Sequence, residues 1–321
     1  MKKIILPGLI LASMGGGSAY AASTELDQAL QNVRNKCGGI SAAMDKMKTM
    51  AGINTAVTGV GTVSAGVALG TGIAKTGTDA EIAELEKKIQ EIINNIGKSA
   101  KHTQQNYQQI TVTDTELQKI ANAAKNNNQA IQKLQNDIDL LKEHSKKLGN
   151  IRTGTLAGAT ATSIAGAAIA GTNKIDDDFA FKIGACAGSV KALANVKMIA
   201  TVDGSADAAQ TAQADKIISA CGQYETLDLS PINKRATGAA VSSGIGAGLG
   251  LAGTITSAVA NTNKTRAGDE QKEKGLNTAA NVLAGGTAAA SLTSTIFNAT
   301  QIAAIKRAST IADECEEALK Q

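Results

Sequence analysis

Chemistry in this chain would have to be built from four cysteines, two histidines, one glycine motif and one acidic run. His102 and His144 both sit among Lys, Gln and Glu, and no Ser or Cys lies at a spacing that would make either a nucleophile's base. Both read as solvated residues on polar helices. Gly248-Leu249-Gly250-Leu251-Ala252-Gly253 fits the GxGxxG pattern, with Asp269 about twenty residues on. That motif needs a preceding strand and a βαβ setting to cradle a pyrophosphate, and here it lies in a run where glycine is everywhere. Asp176-Asp177-Asp178 reads as a helix start. The cysteines show no CxxC or Cys/His ligand spacing, so no metal site is assigned. The expectation is a protein that is not an enzyme, without catalytic residues, cofactor, metal or small-molecule substrate.

The cysteines point instead to cross-links. Lys2 and Lys3, the apolar run Ile4 to Met14 and the small-x-small Ala19-Tyr20-Ala21 have the form of an export signal ending at Ala21. No cysteine follows the run to accept a lipid. A periplasmic, cell-envelope or extracellular location is expected, and there four cysteines form two disulfides. Cys186 and Cys221 are equally far from the Asp203-Gly204 turn and flanked by small residues, so antiparallel helices would bring them level. The expected pairing is Cys186 with Cys221 and Cys37 with Cys315. The runner-up is Cys37 with Cys186 and Cys221 with Cys315.

The elements that carry these residues are read as helices throughout. Aromatics make up 2% of the chain, tryptophan is absent and prolines number two, which leaves few candidates for strands. Leu26, Leu30, Val33, Cys37, Ile40, Met44 and Met47 step by four and three, a coiled-coil seam that Gly38-Gly39 would bend. Phe179, Ile183, Cys186, Val190 and Leu193 form another, Thr211, Ala214, Ile218 and Cys221 line the return helix, and Ile305, Ala308, Ala312, Cys315 and Leu319 close the chain.

The longest reading is a helical hairpin over residues 54–173. Its base, 54–75 and 150–173, is free of charge over Asn54–Ala74 and Gly154–Asn173, and carries a small residue every four positions, including Gly66, Gly70, Gly154, Gly158 and Gly166. Such stripes let helix backbones approach closely. Between them an antiparallel coiled-coil arm, 79–149, is predicted from the seam Ile82, Leu85, Ile89, Ile92 on one side and Leu117, Ile131, Leu134, Ile138, Leu141 on the other. Thr78-Asp79-Ala80-Glu81 and Thr113-Asp114-Thr115-Glu116 read as capping boxes. A second charge-free pair follows, with Gly244, Gly248 and Gly285 as packing positions. Ile53-Asn54 with Thr58-Gly59 matches Ile232-Asn233 with Thr237-Gly238, and Leu156 to Ala161 matches Leu283 to Ala288, which reads as a duplication. The organisation is therefore a signal at 1–21, an N-terminal helix at 22–53, the long hairpin at 54–173, a disulfide-linked hairpin at 174–230, and a second Gly/Ala-rich hairpin with a C-terminal helix at 231–321. The fold class is all-α: an elongated bundle of two duplicated hairpins, the first extended by the arm.

Two functional classes remain. One is an exported interaction or scaffold protein that binds a protein partner or itself through the arm and the small-residue helices. The other is a membrane-inserting protein, since each charge-free stretch of about twenty residues is long enough to cross a bilayer. The stretches are rich in Thr, Ser, Gly and Asn, and lack aromatic residues of the interfacial kind at their ends. The layout is similar to that of helical pore-forming toxins and secretion translocators, which join long helices to small-residue apolar hairpins, although no motif of theirs is present. Nucleic acid is not expected, because the formal net charge is only +4 and no basic stripe is interleaved with aromatics.

Overall fold

A computed structural model describes residues 18–106, 114–203, 207–262 and 270–320; for 18–23, 96–106, 114–121, 123, 124 and 270 it describes the backbone alone. The export-signal run, residues 107–113 and much of the 264–274 link lie outside these residues. Seven α-helices form from the described residues, with no strand among them: α1 (Ser18–Cys37), α2 (Ile40–Asn106), α3 (Asp114–Thr172), α4 (Asp177–Val202), α5 (Ala208–Cys221), α6 (Ser230–Ala260) and α7 (Glu270–Lys320). A short 3-10 turn, Gly222–Thr226, follows α5. The all-α class is thus met.

Local chemistry sets most of the helix ends. Gly39 has φ 75°, a left-handed value that a side chain would resist, and its neighbour Gly38 donates to the Arg34 carbonyl at 3.0 Å. The expected bend is therefore a break between α1 and α2. Asp176 caps α4, its carboxylate accepting from the Phe179 amide at 2.7 Å, and Asp207 caps α5. Pro231 stands at the first turn of α6, where a missing amide hydrogen costs nothing. The Thr78-Asp79-Ala80-Glu81 box starts no helix: α2 runs straight through it, and Thr78 bonds back to the Ala74 carbonyl at 3.1 Å.

The chain forms two units. One takes residues up to Gly52, Thr172–Thr237 and Asn298–Gln321; the other takes Ile53–Gly171 and Gly238–Phe297. In the first, the interior is conventional. Leu26, Leu30, Val33, Ile40 and Met44 meet Ile183, Val190 and Leu193, Ile217, Ile232, Ile305 and Leu319, with all four cysteines in the same apolar cluster. Phe179 and Ile218, read as seam residues, pack only partly against it. The Asn233 side chain donates to the Ile175 carbonyl at 3.0 Å and accepts from its amide at 2.7 Å, which fixes the link into α4.

The cross-links correct the favoured pairing. Cys37 is bonded to Cys186 and Cys221 to Cys315, with Cα separations of 4.8 and 4.6 Å. Equal distance from the α4–α5 turn makes Cys186 and Cys221 level, but it does not make them face each other. Cys186 turns to α1 and Cys221 to α7.

The second unit keeps the same three-and-four spacing with different residues. Along α2 the buried positions at this spacing are Asn54, Thr58, Gly61, Ala65, Ala68, Gly72, Lys75 and Ile82, with Asp79 half-buried. Along α3 they are Ser145, Gly149, Arg152, Leu156, Ala159, Ser163, Gly166 and Ala170. Ala239, Ser243, Gly246, Gly250, Gly253, Ser257 and Ala260 follow the rule on α6, as do Asn277, Ala280, Ala284, Thr287, Ser291 and Ser294 on α7. A 3.5-residue period of this kind is the mark of helices packed along one face. Here the face holds small and polar side chains; among the described residues Leu156, Ala68 and Ala284 make an apolar cluster, with Leu69 packed against it.

That register corrects the packing stripe. A Cβ built on Gly66, Gly70, Gly154, Gly158, Gly244 or Gly248 meets nothing within 4 Å, and one on Gly285 only touches Leu69 at 4.0 Å. Of the expected positions Gly166 alone lies at a tight approach, 2.6 Å from Thr58 Cγ2. A step of four advances 400°, so each step drifts about 40° and a stripe that begins inside at Thr58 winds to the outside by Gly66. An added Cβ would collide instead at Gly72, against Asn281 Oδ1, at Gly61 and Gly250, each 2.5 Å from a threonine Oγ1, and at Gly149, 2.5 Å from Asn261 Oδ1, with tight contacts also at Gly238, Gly246, Gly253 and Gly286.

The two kinds of glycine should respond oppositely to substitution. Gly158→Ala gains helix propensity, about 0.5–1 kcal/mol, because its Cβ meets open space. Gly166→Leu loses about 1–3 kcal/mol by overpacking against Thr58. Chemical denaturation followed by helical circular dichroism checks both, and equal responses would contradict the register.

Candidate functional site

Inside the second unit, the end marked by Lys75 and Arg152 holds a buried network of charge. Both side chains are fully buried, and both are among the largest that are. Lys75 follows Gly72 by three positions in the α2 seam, so the spacing that buries Ala68 also buries an ammonium. It pairs with Asp79 one turn on and with Glu273 of α7 at 3.2 Å. Asp79 also accepts from Ser145 of α3 at 2.5 Å and from the Asn277 amide of α7 at 3.3 Å.

Arg152 occupies the matching place on α3. Its Nε donates to Ser257 Oγ of α6 at 2.8 Å, one terminal nitrogen to Asn277 Oδ1 at 2.9 Å and the other to Asn281 Oδ1 at 3.3 Å. Thr153 shares Ser257 at 2.8 Å, and Asn281 donates on to Thr76 at 3.3 Å. Two cations, two carboxylates and the amides between them therefore tie α2, α3, α6 and α7 together. The cations are balanced by carboxylates and carbonyl oxygens, which is the condition under which a buried charge is tolerated.

Beyond this network the interior is lined by hydroxyls. Ser243 and Ser294 lie 2.7 Å apart, Ser163 and Ser291 3.4 Å, and Thr295 donates to Thr58 at 3.1 Å. Thr58, Thr160 and Thr287 each return a bond of 2.8 Å to the carbonyl four residues back. The large apolar side chains are on the other side. Val60, Val63, Val67, Ile73, Ile164, Val241, Ile245, Leu251, Ile255, Val282, Leu292 and Ile296 are all exposed, Val63 at 68% and Val282 at 70%.

Three helical stretches, Thr24–Asn95, Lys125–Val202 and Ser230–Ala260, contain windows long and apolar enough to cross a membrane, with mean hydropathy 1.4, 1.2 and 1.3. No more than a third of each window is buried, at 28%, 33% and 28%. The fourth charge-free stretch, in α7, is not among them.

The seam of the predicted arm is one-sided where side chains are described. Ile82 and Ile138 are buried; Leu85, Ile89, Ile92, Ile131, Leu134 and Leu141 are half-buried. Lys142 of α3 pairs with Glu86 of α2 at 2.9 Å. Leu117 lies where only the backbone is described. The GxGxxG run lies mid-helix in α6 with no strand before it, Gly250 and Gly253 buried and Gly250 facing Thr160.

The network is hard to see in the sequence because Lys75 and Arg152 stand at the edges of charge-free segments. The signal was present: Asn54, Thr58 and Lys75, then Arg152 and Ser163, then Ser243 and Ser257 each share a three-and-four register with their neighbours. No protein-family model matches the chain, and neither the curated proteins nor the solved structures contain a significant match.

Removing one partner should be costly. Arg152→Ala strands Ser257, Asn277 and Asn281 and leaves the carboxylates in excess, an expected loss of about 3–5 kcal/mol. Lys142→Ala, at an exposed pair, should stay within about 1 kcal/mol of wild type. Denaturant midpoints of the two variants test this; equal small effects would mean the network contributes nothing to the fold.

Proposed function

We propose that this is a membrane-inserting protein, in which the second unit places its charge-free helical stretches across a bilayer. The observation that carries this reading is the reversed polarity of that unit: hydroxyls, amides and ions inside, valine, isoleucine and leucine outside. In water each half-exposed side chain of this size forgoes on the order of 1 kcal/mol of burial. Summed over the outer face, that is comparable to the 5–15 kcal/mol of net stability of a typical domain. In lipid the same face costs nothing, and the interior follows the packing of membrane helices, with small residues at close contacts and polar groups bonded across the bundle.

The lengths agree. Between Arg152 and Lys174 lie 21 residues without charge, about 31 Å of helix against a hydrocarbon core of about 30 Å. The stretches between Lys48 and Lys75, Arg235 and Lys264, and Lys274 and Lys306 are longer, at 26, 28 and 31 residues. Glycines at which an added Cβ would come within 2.6 Å of a neighbouring side chain, as at Gly61, Gly166 and Gly250, favour a closed anchor over an open pore in this state.

On this reading the role is architectural rather than enzymatic. The export signal directs the chain to the envelope, and the polar helices over 79–149 are the element left to engage a protein partner or a second copy. An exported scaffold that stays in water is the competing reading, favoured by the one-sided seam at Ile82 and Ile138.

Flotation on liposomes separates the two. The chain should need detergent for solubility and should float with vesicles. Val63→Glu with Val282→Glu should abolish flotation, because each buried carboxylate costs about 2.5–3.5 kcal/mol in the bilayer. A detergent-free monodisperse protein that stays at the bottom of the gradient would rule the membrane out.

A further inference from the structure

We propose that the four half-cystines of the first unit form one thiol–disulfide exchange site rather than two independent struts. The Sγ atoms of Cys37, Cys186 and Cys315 all lie within 4.8 Å of one another, and Cys221 is bonded to Cys315. The sulfur of one bridge therefore sits within reach of both sulfurs of the other. All four residues are buried in one apolar cluster with Val33, Ile183 and Val190, which holds them at this spacing and limits the access of outside thiols. A thiolate released there meets the neighbouring bridge at an effective concentration far above that of any dissolved competitor.

The step balances as follows. A dithiol reductant opens Cys221–Cys315 and leaves as its own cyclic disulfide, having supplied two electrons and two protons. The Cys315 thiolate attacks Sγ of Cys186; the Cys37–Cys186 bond breaks, and its electron pair leaves on Cys37, which takes up the proton. A Cys186–Cys315 bond has formed and no further electrons have moved. The product moves the tether of α7 from α5 to α4 and frees α1 from α4. One two-electron event thus changes which helices are joined while each sulfur moves by no more than a few ångströms. Attack on Cys37 instead gives Cys37–Cys315, with Cys186 as the leaving thiolate.

Peptide mapping of the whole chain tests this. Wild-type protein is treated with one equivalent of dithiothreitol at pH 8, quenched with N-ethylmaleimide, digested without reduction and analysed by mass spectrometry. Linkages of Cys315 to Cys186 or Cys37, absent before treatment, are expected. Partially reduced protein that retains only Cys37–Cys186 or only Cys221–Cys315 overturns the proposal. The double variant Cys37→Ser, Cys221→Ser gives an independent answer, since its two remaining thiols should oxidise to an intramolecular Cys186–Cys315 bridge under mild oxidant. Two free thiols, or a bridge found only between chains, in a variant whose helical circular dichroism matches wild type, would also overturn it. If that variant does not fold, the wild-type mapping decides.

Discussion

Small side chains on a packed helical face impose a trade. They let backbones approach until a methyl group would collide with the next helix, as at Gly61, Gly166 and Gly250, but they remove little apolar area from water. The charge-free helical stretches of the second unit live under that constraint. Its contacts come from dispersion between closely set backbones and from hydroxyls bonded across the bundle. Neither contribution selects strongly between neighbouring registers, because one small residue replaces another with little change in shape.

The charge network supplies the selectivity that the small residues lack. A slip of α3 by one heptad would carry Arg152 away from Ser257, Asn277 and Asn281 and leave three polar groups and a guanidinium buried without partners. A buried pair adds little net stability relative to apolar residues of the same volume, yet breaking it costs several kcal/mol. Lys75, Asp79, Glu273 and Arg152 therefore act chiefly by making every other register worse, in the way a single buried polar residue fixes a coiled coil. A seam of leucines would not need such a device.

How much of this was legible in the sequence follows from contrast. The seams of large residues, from Leu26 to Met44, from Ile183 to Leu193 and from Ile305 to Leu319, could be read directly because Leu, Ile and Val stand out from polar neighbours at helical spacing. Break and cap positions, Gly38-Gly39 and Asp176, were legible from their own backbone chemistry. The Gly/Ala-rich stretches offered no such contrast. Glycine is so frequent there that a period of four can be found on several faces, and the face chosen winds to the outside of the helix. The reliable markers were the valines and isoleucines, most of which lie outside, and Asn54, Lys75 and Arg152, which lie inside; the usual assumption about which class is buried inverts their meaning. The disulfide pairing was beyond sequence for another reason. Chain distance fixes how far along a helix a cysteine lies, but its facing direction depends on which third helix packs against it.

The same heptad period thus serves opposite environments within one chain. Around the cysteines it collects Leu, Ile, Val and Met, an interior that water itself drives together, and two covalent links reinforce it. Helices α2, α6 and α7 continue from that unit into the other without interruption, and along each the buried residues change from large and apolar to small and polar while the spacing stays fixed. The boundary at Gly52 and Ile53 is therefore one of side-chain size and polarity more than of secondary structure. The change of interior along α2 needs no break in the helix, because the packed face keeps its spacing and only the residues that fill it differ.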